Sequence, residues 1–151
     1  MERISGGDGY QSIHKLNLED LSLNHQVNVQ QEHTLTTEEL NDLIIESIQD
    51  VKGKNLVKLD LRGLDDAPTD YFIICEGDSF TQVRAIAENI AKTLKEEAGT
   101  LPVHMEGQRN AQWICIDYFT TVVHVFHPEK RAFYALEDLW GDALVTEYES
   151  L

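Results

Sequence analysis

Residues Tyr71 to Cys75 form an unbroken apolar run, Tyr-Phe-Ile-Ile-Cys, entered through Thr69-Asp70 and stopped at Gly77. A run that is apolar at every position has no wet face, so it predicts a strand buried on both sides. Such a strand needs sheet neighbours and helices over at least one face. Ser79, two residues past the break, starts a helix with Val83, Ile86, Ala87, Ile90 and Leu94 on one side and Gly99 at its end. A strand-to-helix crest of this kind is where α/β layers place their working surface.

The flanking sequence supplies the neighbours. Thr36-x-x-Glu39 is a capping box, in which the Thr hydroxyl takes a free backbone N–H and the carboxylate reaches back. Leu40, Leu43, Ile44, Ile48 and Val51 then recur at helical spacing up to Gly53. Residues 56–61 alternate as a strand, with Val57, Leu59 and Leu61 on one face and Lys58 and Asp60 on the other. Ser79-x-x-Gln82 predicts a second capping box. Strands are predicted at 101–106, 112–117 and 121–127, and their short connections predict antiparallel pairing. A short helix is predicted at 135–140, with Leu136, Leu139 and Trp140 facing inward. The expected fold class is α/β (α+β), a mixed five-stranded sheet flanked by helices.

Residues 1–33 are rich in Asn, Gln, Ser and His, contain Gly6-Gly7-Asp8-Gly9 and show no sustained period. They predict a flexible N-terminal extension ahead of a single domain at 34–151. No apolar core region suits the first ten residues to a signal peptide, and no apolar run reaches bilayer-spanning length. The net charge is −15. From Thr34 onward, 22 acids against 10 bases leave −12, so the charge belongs to the domain and not only to the extension. Such a surface is repelled by nucleic-acid phosphates, and no basic cluster larger than Lys130-Arg131 relieves it. Little direct nucleic-acid contact is expected, and a basic protein is the natural partner. Cys75 and Cys115 sit in strand-like runs, which predicts buried thiols in a reducing, cytoplasmic protein.

Three kinds of chemistry find only part of their residue pattern in this sequence. For a metal, no two of His104, His124 and His127 share a ligand spacing with a Cys or acid partner. His124 and His127 are three apart in a strand, so they point to opposite faces, and His124 is expected to be a packed or hydrogen-bonding histidine. For a hydrolase, Gly77-Asp78-Ser79 has the place of a nucleophile elbow, but the last glycine of G-x-S-x-G is replaced by Thr81, and Ser79 is explained as a helix cap. For a nucleotidyltransferase, the same turn would receive a triphosphate at a helix N-terminus, yet no Asp-x-Asp or Asp-x-Glu pair follows it. Asp117 alone cannot build a two-metal clamp. No cofactor and no metal is expected.

The positive signal is aromatic and acidic. Trp113 is expected to share a face with Cys115 and Asp117, Tyr118 follows them, Tyr71 comes directly after Asp70, and Phe133-Tyr134 precedes Leu136. Aromatic anchors ringed by charge are what a protein–protein hot spot requires.

Taken together, Leu59-Asp60-Leu61-Arg62, Thr69 to Cys75 with Gly77-x-Ser79, and Gln82 to Ala87 are followed by Glu106-Gly107, Ala111-x-Trp113, Asp117-Tyr118, Val122 to Phe126 and Arg131-x-Phe133-Tyr134-x-Leu136-Glu137-x-Leu139-Trp140. In that order, from about Leu40 to Ala143, the chain resembles the Iojap-like ribosomal silencing factors. One departure is local: the family usually continues Asp-Tyr with Gly-Asp, and here Phe119-Thr120 stands in their place.

The resemblance implies a nucleotidyltransferase-like scaffold without the catalytic carboxylates, and a binding protein rather than an enzyme. It implies docking on the large ribosomal subunit through ribosomal protein L-fourteen, exclusion of the small subunit, and repression of translation when nutrients are short. A role in large-subunit assembly is also implied by the family. Carried onto this chain, the partner-binding residues are Asp70, Tyr71, Glu106, Trp113, Asp117, Tyr118, His124, Tyr134 and Glu137. A nucleotidyltransferase-like enzyme is the alternative, and a homodimer hiding the same face is a third reading.

Overall fold

A computed structural model describes residues 34–150, and the extension expected at 1–33 lies outside them. Ten elements follow in order: α1 (Thr37–Asp50), β1 (Lys54–Asp60), β2 (Tyr71–Glu76), α2 (Phe80–Ala98), β3 (His104–Glu106), β4 (Trp113–Asp117), β5 (Thr121–Phe126), α3 (Pro128–Tyr134), α4 (Leu136–Leu139) and β6 (Leu144–Glu147).

Both long helices start as their caps dictate. Thr36 Oγ1 accepts from the Glu39 N–H at 3.1 Å, and Glu39 Oε1 accepts from the Thr36 N–H at 3.0 Å, which closes the capping box of α1. At α2, Ser79 Oγ accepts from the Gln82 N–H at 3.1 Å. The reciprocal bond differs from expectation: Gln82 Oε1 takes the N–H of Asp78 at 2.7 Å, one residue before the cap. The tight Gly77 turn aims Asp78 at the helix. A Cβ on Gly77 would lie 2.9 Å from the Val83 backbone nitrogen, so the turn requires glycine.

The sheet runs β3-β4-β5-β2-β1-β6. Only β2 and β5 pair parallel; the other neighbours are antiparallel. The expected five strands are therefore six. Strand β6 adds to the β1 edge with all four residues exposed, so it carried no burial pattern to read. Helix α3 also escaped the sequence pattern, although Pro128 at its first position is a start signal. In the predicted helix at 135–140, Leu136 and Trp140 do pack inward, but Leu139 is exposed.

Period-2 alternation splits the sheet residues between two cores. Ile73, Cys75, Ile114, Ile116, Val123 and Val125 face α1 and α2. Leu59, Leu61, Phe72, Ile74 and Phe126 face the other way, where Trp113, Leu136 and Trp140 cover them in part. All five residues of the Tyr71–Cys75 run are buried, as a doubly covered strand requires.

Candidate functional site

The face turned away from α1 and α2 is built by register. Directly opposite residues of neighbouring strands share a face. His104 pairs with Asp117 and Glu106 with Cys115 across β3–β4. Trp113 pairs with Phe126, Cys115 with His124 and Asp117 with Val122 across β4–β5. Alternation along each strand puts all eight on the same side. The face grades from charge to rings: His104 and Glu106 are exposed and 3.0 Å apart, Cys115, Asp117 and Trp113 are half-buried, and His124 and Phe126 are buried.

Trp113 is held on three sides. Its ring stacks on Phe126 at 4.9 Å between centroids, and Tyr134 from α3 leans against it at 4.5 Å. Its indole N–H donates to Nδ1 of His124 at 3.0 Å. Gly107, with φ +94, lets the β3–β4 connection pass directly over Trp113: a Cβ there would lie 2.0 Å from the Trp113 carbonyl oxygen.

His124 is a neutral histidine. Accepting at Nδ1 places its proton on Nε2. That Nε2 is buried and has no hydrogen-bond partner among the described residues, while Phe72 meets the ring edge-on at 4.4 Å. Burial disfavours the imidazolium and lowers its pKa to about 4. Cys115 Sγ lies 3.6 Å from the same Nδ1. Burial, then Glu106 and Asp117, push that thiol up to about 11, and burial pushes Cys75 to about 12. Both sulfurs stay thiols near neutral pH and are poor nucleophiles. Cys115, expected to be buried, is half-buried on this face.

Of the residues singled out in the sequence, Glu106, Trp113, Asp117 and His124 lie on this face, with Tyr134 against it. Asp70 is exposed in the loop before β2 and lines one groove with Asp117 and Phe119. Tyr71 and Tyr118 do not join them. Tyr71 alternates with Phe72 onto the opposite face, buried beneath Arg62 and Lys58, whose cationic groups stand 5.1 and 5.8 Å from its ring. Tyr118 continues the inward series Ile114-Ile116 into the helix-covered core, where burial pushes its pKa up to about 12. The expectation that these two rings reach the surface beside Trp113 is thus corrected by strand parity. Glu137 is engaged within the molecule: it accepts from Arg131 at 2.9 Å, and Arg131 also donates to Glu76 at 3.1 Å and to the Asn55 carbonyl. This anchor, which ties α3 to β1 and β2 of the sheet and to α4, was not anticipated from sequence.

The strand-to-helix turn is spent on structure. Ser79 caps α2, and Asp78 forms an ion pair with Lys54. Among the described residues no group of three or more His, Cys, Asp or Glu side chains is placed to hold a metal ion.

Residues 34–151 match the model of a protein family described as ribosomal silencing factor during starvation. The chain is 39% identical over 117 residues to a protein of Halalkalibacterium halodurans named ribosomal silencing factor RsfS, covering 78% of this chain and 98% of that one. It is 36% identical over 74 residues to a mouse protein named mitochondrial assembly of ribosomal large subunit protein 1, across 48% of this chain and 32% of that one. A crystal structure of a Chromobacterium violaceum protein superposes with a TM-score of 0.67 at 36% identity, covering 71% of this chain and 88% of the other.

Proposed function

The chain belongs to the ribosomal silencing factor family, and from that premise we propose that it silences ribosomes by occupancy, docking on the large subunit through the basic ribosomal protein L-fourteen and blocking the small subunit from joining. The observation that carries this reading is the Trp113 face. A large ring is locked by three contacts and half-open to solvent, on a face that also carries Glu106 and Asp117. Rigid aromatic anchors bordered by charge concentrate binding energy, because little entropy is lost when they dock. The acidic field suits a basic protein among ribosomal RNA and opposes contact with the RNA itself. On this reading the protein acts in the cytoplasm, on free large subunits; separately, among the described residues no helix is long and apolar enough to cross a membrane.

Gradient co-sedimentation with separated subunits tests it. Purified protein should travel with large subunits and slow their joining to small ones. Trp113→Ala should bind at least about tenfold more weakly, as removal of a buried hot-spot ring does. Raised salt should weaken binding further. Absence of both co-sedimentation and anti-association activity would refute the proposal. The similarity to the mouse assembly protein favours a second role in large-subunit maturation. It would show as accumulation of immature large subunits when the protein is depleted.

A further inference from the structure

The β4–β5 hairpin turns on Phe119 and Thr120, with the Tyr118 N–H donating to the Thr121 carbonyl at 2.8 Å. Phe119 has φ +76. At the first central position of a two-residue hairpin, that conformation favours Gly, Asn or Asp, and a side chain as large as Phe is strained there. The ring is also 77% exposed, so it gains nothing from the core. The backbone beneath it is pinned from both sides. The Phe119 N–H donates to Asp117 Oδ1 at 2.7 Å, and its carbonyl accepts from Thr69 Oγ1 at 2.7 Å. Next to it, Thr121 Oγ1 donates to the buried Asn41 of α1. The fold therefore holds an exposed aromatic rigidly in an unfavourable conformation, a pattern that persists where the surroundings over-determine it.

The surroundings state what the ring would meet. Phe119 shares a groove with Asp70 and Asp117, and the loop forming the opposite bank carries Asp65 and Asp66, both exposed. Arg62, the cation on that groove, is taken up by Asp60 through two hydrogen bonds at 3.0 and 2.8 Å. The rim is thus acidic around one apolar knob. Asp117 belongs at once to this rim and to the Trp113 face, so the two surfaces are continuous.

We propose that Phe119 is a second anchor, seated in an apolar socket of a basic protein surface, and that it extends the Trp113 docking face around the hairpin tip. The inference rests on the proposed binding of the large subunit. Phe119 adds contact area without flexibility, because its backbone is fixed before the partner arrives. The carboxylates on either bank set the sign of the partner's charge around the socket.

Phe119→Gly isolates this role, since glycine adopts the turn without strain and the fold should be retained or strengthened in urea melts. In titrations of fluorescently labelled protein with purified large subunits, this variant should bind about tenfold more weakly than wild type, the loss expected of one truncated anchor. The dependence of affinity on salt should keep its slope, because no charge is removed. Leu101→Ser, at another exposed apolar site outside the groove, should bind as wild type does. Wild-type affinity in a folded Phe119→Gly protein would overturn the anchor while leaving the subunit-binding proposal intact. Failure of the wild-type protein to bind large subunits would overturn both.

Discussion

The indole N–H of Trp113 and Nδ1 of His124 meet at 3.0 Å along a diagonal of the β4–β5 ladder, with Cys115, the residue directly opposite His124, 3.6 Å from the same nitrogen. The bond fixes both partners. It sets the histidine tautomer, and it fixes the rotation of a ring that is otherwise half-open to solvent.

Replacing His124 by Phe keeps the volume and removes the acceptor. The Trp113 N–H then loses its partner, and a loss of about 1–2 kcal/mol is expected, in the range for orphaning a partly buried donor. Urea unfolding should show the shift in midpoint. Tryptophan emission should move to longer wavelength as the ring loosens.

Acid should destabilise the protein through the same histidine. Its folded pKa is about 4, below the unfolded value near 6.5. The unfolded chain therefore takes up a proton that the native state refuses. Stability contributed by neutral His124 is complete above about pH 6.5, falls as pH drops toward 4, and levels off below that, when both states carry the proton. The loss attributable to this group is on the order of 3 kcal/mol. Urea melts from pH 7 to pH 4.5 should show it in wild type, and His124→Phe should show a correspondingly shallower dependence.

Gly107→Ala should damage the Trp113 face from behind. The added Cβ would lie 2.0 Å from the Trp113 carbonyl, a backbone atom that cannot swing aside, and φ +94 is itself unfavourable for alanine. Destabilisation of about 2 kcal/mol or more is expected, together with weakened large-subunit binding. Gly99→Ala is the control: it has φ +61 but open space around it, so it should cost about 1 kcal/mol and leave binding unchanged.

Arg131→Met should release α3 from the sheet. It leaves Glu76 and Glu137 without their cation and the Asn55 carbonyl without its donor. The Arg131 side chain is largely buried, so a cost of about 2–4 kcal/mol is expected in chemical denaturation. Because α3 carries Tyr134 against Trp113, hydrogen exchange in residues 128–140 should quicken in the same variant.

Ser79 separates a cap from a nucleophile. Ser79→Ala should cost about 1 kcal/mol and Ser79→Asp almost nothing, since aspartate also caps a helix. Neither variant should change large-subunit binding. A loss of function in the stable Ser79→Asp protein would contradict the assignment of this turn to structure.

Much of the face was legible because alternation is a local property. Trp113, Cys115 and Asp117 were expected to share a side, and they do. The same alternation, carried one residue further, assigns Tyr118 to the side of Ile114 and Ile116; grouping it with Trp113 for its chemistry overrode that signal. Tyr71 was harder. In a run apolar at every position, neither face is marked as the wet one. Glu137 was assigned to the interface through the family resemblance; its partner Arg131 is 6 residues away, and Arg131 in turn reaches Glu76 across 55 residues, a pairing beyond any local pattern.

By itself, the sequence determined the elements with strong local causes: the Thr36 and Ser79 caps, the periodic helix faces, the buried Tyr71–Cys75 strand, the acidic charge and the ordered motifs of the family. Each depends on residues within one or two turns, or on summed composition. The tertiary structure decided which side chains meet. Pairing β2 parallel with β5, and β5 antiparallel with β4, brings Phe72, His124 and Trp113 into one cluster, sends Tyr118 into the helix-covered core, and turns Tyr71 to the opposite face from Phe72, under Lys58 and Arg62. It also added β6 at the edge, where backbone hydrogen bonding to β1 holds four exposed residues that have no hydrophobic pattern of their own. Register and chain crossing are long-range choices, and a one-residue shift in either would turn every side chain of a strand to the opposite face.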